Sequence, residues 1–106
     1  MPRHVFVVHT NAVDDRDDEF NAWYSGPHLA DLRRLPGVVS VRRFRIAGAQ
    51  VRDVPSPHRY LAIYEIDTDD PHIFARELLA RAGTELLATS PALAPDASAY
   101  LWEPIE

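Results

Sequence analysis

The apolar positions of this chain follow two different spacings, and the switches between them mark the elements. His4 to Thr10 (HVFVVHT) is a short, continuous, valine-rich run, which predicts a buried strand. Asn11 to Asp18 is polar and turn-like. Asp17 or Asp18 can then cap a helix that runs to about Leu35, where Pro36–Gly37 stops it. Val38 to Ile46 predicts a second strand, Ala47 to Pro57 a hairpin loop, and His58 to Asp67 (HRYLAIYEID) a third strand dense in Tyr, Ile and Leu. A second helix opens at Asp69 or Asp70, with Pro71 in its first turn, where a missing N–H costs nothing. Ile73, Phe74, Leu78 and Leu79 supply its apolar face, Gly83 can end it, and Leu86 and Leu87 can extend it. Ser90 to Asp96 is a connector, and Ala97 to Glu103 (ASAYLWE) predicts a last strand.

The order β-α-β-β-α-β predicts a ferredoxin-like α+β sandwich of one domain. Its sheet is antiparallel, with strands one and three in the middle. Side chains alternate along a strand. Strand one therefore carries Phe6 and Val8 on one face and Val5 and Val7 on the other. Strand three carries Leu61 and Ile63 on one face and Tyr60, Ala62, Tyr64 and Ile66 on the other. Both faces are apolar, yet two helices can cover only one. The other face needs a further layer, and a second copy of the same sheet is the economical source: a homodimer is expected.

Composition narrows the chemistry. The 106 residues include no cysteine, which excludes disulfides, thiolate metal sites and a thiol nucleophile. All eleven basic residues are arginine, so Schiff-base catalysis through lysine is excluded too. A net charge of −5 argues against a nucleic-acid partner. No signal-like start and no run of 18 apolar residues occurs, so a soluble, cytoplasmic protein without a membrane partner is expected.

One segment stands out: FNAWYSGPHLADL, residues 20 to 32. On a helical wheel Phe20, Trp23, Tyr24, Pro27, His28, Asp31, Leu32 and Leu35 share about half the circle, with Asn21 at its edge. Tyr24 and His28 are four apart and His28 and Asp31 three apart, spacings at which helical side chains meet. The bland reading of His28 is a core histidine bonded to Asp31 or to a backbone carbonyl. Gly26–Pro27 argues for more, because a proline inside a helix removes a hydrogen bond and clashes, at a cost of ~3 kcal/mol or more. If the helix breaks there, Gly26 caps one segment and Pro27 opens the next. His28 then sits in a first turn, where the dipole keeps its ring neutral, as a general base requires. A simple kink is the competing explanation.

Other groups carry less. The acidic run Asp14, Asp15, Asp17, Asp18 and Glu19 precedes a helix and is read as solvated capping and dipole charge. His4 and His9 point to opposite faces, and no histidine pair has ligand spacing, so no metal is expected. His28 as a sole axial haem ligand stays open at this point. Phe6, Trp23, Arg43, Tyr60, Tyr64 and Trp102 are candidates for a ligand-binding lining, against a plain packing or surface role for each.

The segments TNAVDDRDDEFNAWYSGPHLADLRRLPGVVSVRRF and RYLAIYEID resemble the EthD-like branch of the dimeric α+β barrel superfamily. The likeness covers most of the chain and is weakest after Asp70. It implies a ferredoxin-like protomer, dimerised sheet to sheet, with a ligand cavity between sheet and helices. Relatives include cofactor-free monooxygenases, polyketide cyclases, lactone isomerases, decarboxylases and haem enzymes. The resemblance makes His28 the motif histidine, an acid–base or binding group, with Trp23, Tyr24 and Asp31 as its neighbours; Gly26–Pro27 fills a variable part of the motif. The expected function is a cofactor-independent acid–base enzyme acting on a small, apolar, oxygenated molecule such as a polyketide-like, phenolic or terpenoid intermediate. His28, Tyr24 and Asp31 would be its catalytic set, with Asp31 fixing the tautomer and Tyr24, Tyr64 or Arg43 stabilising an enolate oxygen. The alternatives are a cofactor-free or haem-dependent monooxygenase and a non-catalytic ligand-binding protein.

Overall fold

Residues rich in branched and aromatic side chains pack well on a pleated surface, and here they gather into one sheet. A computed structural model of the chain, describing residues 3–106, contains β1 (Arg3–Thr10), β2 (Val38–Arg45), β3 (Tyr60–Asp67) and β4 (Ser98–Trp102). Their order is β2-β3-β1-β4, with every neighbouring pair antiparallel. Strands one and three are central, as the pattern predicts. The first helix is composite: α1 (Asp17–Trp23), a π-helical turn (Tyr24–His28) and α2 (Leu29–Arg33). The other long helix is α3 (Pro71–Arg81).

Caps and stops follow local chemistry. The Asp70 carboxylate accepts the His72 N–H at 3.0 Å, and Pro71 begins α3. The expected aspartate cap of α1 is not made: Arg16 precedes the helix without a side-chain cap bond. Asp17, Asp18 and Glu19 stand in its first turn instead, where the dipole favours anions. Gly37 has φ +87°, and a Cβ there would stand 3.0 Å from the Asp67 carbonyl, so only glycine lets the chain turn this tightly into β2.

The core lies between the helices and one face of the sheet. Phe6, Ala62, Tyr64 and Ile66 meet Phe20, Tyr24, Leu29 and Leu32 of the first helix and Phe74 of α3. The opposite face carries Val5, Val7, Leu61 and Ile63, only half-buried, together with Tyr100 and Trp102 at 64% and 57% exposure. Two expectations for α3 fail. Ile73 and Leu79 are exposed, because only Phe74 and Leu78 turn toward the core. The helix also ends at Arg81, since Gly83 takes φ +79° and Leu87 folds back to accept its N–H at 3.1 Å.

Candidate functional site

Gly26–Pro27 does interrupt the first helix, though not as a cap followed by a fresh start. Gly26 has φ −97° and ψ −105°, outside the helical region, and the turn around it widens to the π type. The widening moves the hydrogen-bond register past Pro27, which has no N–H. The Leu29 N–H then reaches the carbonyls of Tyr24 and Gly26. Nothing stands within 4 Å of a Cβ built on Gly26, so its role is conformational and not steric. Pro27, placed on the buried face by the helical wheel, is exposed, because the extra residue in the turn rotates it outward.

The widened turn ends on His28. Trp23 stacks on the imidazole with centroids 4.2 Å apart and planes 27° apart, and Tyr24 meets it nearly at right angles at 4.6 Å. The expected partner is missing: Asp31 accepts from Arg34 at 2.8 Å, and His28 Nδ1 is buried without a hydrogen bond. Asp31 sits at the right spacing, but a guanidinium three residues on offers it a solvent-side partner that the buried ring cannot match. Burial lowers the His28 pKa to about 4; Asp31 opposes the shift and the positive charge of Arg43 adds to it. The ring is therefore neutral at pH 7, as expected, but burial does this and not a helix dipole.

Arg43, on the edge strand β2, organises the rest. Its guanidinium lies 4.4 Å above the Tyr24 ring and within 6 Å of the Phe20 and Tyr60 rings, at 5.5 and 5.8 Å. It donates to Ser25 Oγ at 2.8 Å and to Asn21 Oδ1 at 2.9 Å. Asn21 donates to the Tyr60 hydroxyl at 3.3 Å, which in turn donates to Asp17 at 2.5 Å; Arg59 pairs with that carboxylate at 3.3 Å. Beneath this chain, Tyr24 and Tyr64 share a hydroxyl–hydroxyl hydrogen bond of 2.7 Å. Burial raises the pKa of both, so both stay protonated.

The fold thus brings His28, Tyr24, Trp23, Arg43, Tyr60 and Tyr64 together, with Phe6 behind Tyr64 at 5.7 Å between ring centroids. Asp31 is near but paired elsewhere. Trp102 is not at this site: it pairs with Val5, on the sheet face away from the helices, because strand alternation puts Leu101 on the core side. Asn21, Ser25 and Asp17 belong to the network although sequence reasoning left them out. Asn21 at the edge of the wheel was the available signal. Surface depressions of 140 to 530 Å3 are lined by other residues than His28; one of 260 Å3, bordered by Asn21, Arg43, Phe44, Arg45 and Tyr60, adjoins the network. Among the described residues no three His, Asp or Glu side chains gather as a metal site, and no helix is long and apolar enough to cross a membrane.

No family model matches the chain, and no curated protein matches it. Solved structures do. A proposed monooxygenase from Shewanella loihica PV-4 has a TM-score of 0.65 at 11% identity, over 100% of this chain and 98% of that one. The heme-degrader MhuD from Mycobacterium tuberculosis, solved with two hemes in its active site, gives 0.62 at 16% identity, over 97% and 96%. An EthD-like protein from Ralstonia eutropha JMP134 gives 0.58 at 14% identity, over 94% and 92%. At such identities the likeness is one of architecture: the chain shares the ferredoxin-like fold of these proteins, an EthD-like one included.

Proposed function

We propose that this chain is a cofactor-independent acid–base enzyme acting on a small oxygenated molecule, with His28 as its proton-transfer group. The observation that supports this most is the ring itself. It is half-buried and neutral, held between Trp23 and Tyr24, and makes no hydrogen bond to the described residues. A neutral imidazole without a structural partner is free to take a proton from a carbon next to a carbonyl. Tyr24 and Tyr64 bond to each other in the core, so Arg43 is the group left to stabilise an enolate oxygen. Deuterium wash-in at the α-carbon of 1-tetralone, followed by NMR, tests the reading. Wild type should exceed buffer, and His28→Ala should lose about 10²–10⁴-fold. Equal exchange by wild type and variant sinks the acid–base role and leaves a ligand-binding protein.

The likeness to MhuD raises haem on His28 as a second reading. The residues present do not fit it: the space between helix and sheet is filled by Phe6, Phe20, Tyr24 and Tyr64, each at most 7% exposed.

The functional unit of this proposal is a homodimer. Val5, Val7, Leu61, Ile63, Tyr100 and Trp102 form an apolar face that a second sheet would cover. Light scattering at micromolar concentration should give twice the 12.0 kDa of one chain. Val7→Asp should return it to one chain.

A further inference from the structure

Arg43 is a half-buried cation whose polar contacts are all neutral. Among the described residues no carboxylate pairs with it; its neighbours are three aromatic rings, a serine and an amide. Partly burying a guanidinium in this way is costly unless something compensates its charge. Of the ten other arginines, Arg3, Arg16, Arg34, Arg59 and Arg81 each pair with an acidic side chain, and Arg33, Arg42, Arg45, Arg52 and Arg76 are exposed to solvent. Arg43 alone is half-buried without such a partner among the described residues. A guanidinium has five N–H donors. Ser25 and Asn21 take one each, which leaves three unused on a side chain that those two bonds and the Tyr24 ring already hold in place.

The surroundings of Arg43 match this surplus. The 260 Å3 depression beside it is bordered by a second arginine, Arg45, and by Tyr60, with no acidic residue in its lining; Phe44 lies at its edge, with its side chain on the other face of the sheet beside Leu61 and Arg42. On a chain of net charge −5 that is a local reversal of sign. We infer that the depression lined by Asn21, Arg43, Phe44, Arg45 and Tyr60 is an anion subsite that takes the carboxylate of an aromatic acid. Arg43 offers the planar fork that fits a carboxylate, Arg45 adds charge at the rim, and Tyr60 offers its ring to the ring of the acid. This deepens the acid–base reading by naming the ligand as an organic acid, and it rests on that reading for its catalytic meaning. An anion here would also offset the Arg43 charge, which adds to the lowering of the His28 pKa that burial mainly causes.

The test is a titration of the whole protein, followed by tryptophan fluorescence, with 2-naphthoate and its neutral analogue 2-naphthamide. The acid should bind at least tenfold more tightly than the amide, and less tightly as salt is raised. Arg43→Gln should cut naphthoate affinity at least tenfold and erase the preference, Arg43→Lys should recover part of it, and Arg45→Ala should cost two- to fivefold. Equal affinities for acid and amide, no binding of either at millimolar concentration, or unchanged naphthoate binding by Arg43→Gln would each overturn the proposal. If Arg43→Gln does not fold, the acid–amide comparison on wild type and the Arg45→Ala variant still decide it. Turnover enters nowhere in this titration, so failure of the acid–base reading would leave its outcome unchanged.

Discussion

The two faces of the sheet are built from nearly the same residue types and end in different environments. On the helix side Phe6, Tyr64 and Ile66 are at most 7% exposed; on the other side Val5, Val7 and Ile63 are half-covered and Trp102 is 57% exposed. The difference lies in what each face meets. The first helix and α3 bring Phe20, Tyr24, Leu32 and Phe74 down on one side, and among the described residues no element returns to the other. An apolar strand therefore does not by itself distinguish an interior from an interface. On the closed face polar groups are few: Tyr24 and Tyr64 bond to each other, while His28 Nδ1 is buried without a partner. The open face mixes Arg42, His9 and Ser98 among its apolar residues.

The largest contrast should come from truncation on each side. Phe20→Ala removes a fully buried ring that meets Trp23, Tyr24 and Tyr60, and should cost about 3–5 kcal/mol in urea unfolding. A loss under 1 kcal/mol would mean that the closed face is no true core. Next is pH. The folded-state pKa of His28, about 4, lies below the unfolded value of 6.5, so the unfolded chain takes up the proton first as pH falls. Stability contributed by the neutral ring is present above pH 6.5 and lost between pH 6.5 and about 4. Comparison with His28→Gln should isolate about 2–3 kcal/mol across that window; parallel curves would show that the ring is solvated.

Tyr24→Phe should be milder, about 1–2 kcal/mol, because it strands the buried Tyr64 hydroxyl. The double variant with Tyr64→Phe should recover most of that loss, and additive losses would point to separate partners. Smallest is Trp102→Ala. Measured at a dilution where light scattering gives a single chain, it should shift stability by no more than about 0.5 kcal/mol. A larger loss there would place Trp102 in the fold of the chain itself and erase the contrast between the faces.

How much could be read in advance follows the same division. Every strand and both long helices were legible, because each rests on a local period or a local stop: the valine run of β1, Asp70–Pro71 before α3, Pro36–Gly37 before β2. Two faces with no helix left to cover the second were also legible. Errors arose where a residue had a choice of partner. His28 and Asp31 have the spacing of a bonded pair, yet Arg34 competes for the carboxylate. Trp102 and Leu101 are both apolar neighbours, and strand register decides which one turns inward. Pro27 fits the buried face of an ideal helix, but one extra residue in the turn moves it out.

The sequence by itself determined the order of elements, the sandwich class and the unusual concentration of aromatic and titratable groups around His28. These depend on periods, stops and composition, which act over a few residues. Only the tertiary structure decided that Arg43 comes from the edge strand to rest on Tyr24, bonded to Ser25 and Asn21, with no carboxylate to meet it. Only it decided that His28 is kept neutral by burial. Both outcomes depend on which distant groups share a small volume and on how much water remains there, and neither quantity is carried by spacing along the chain.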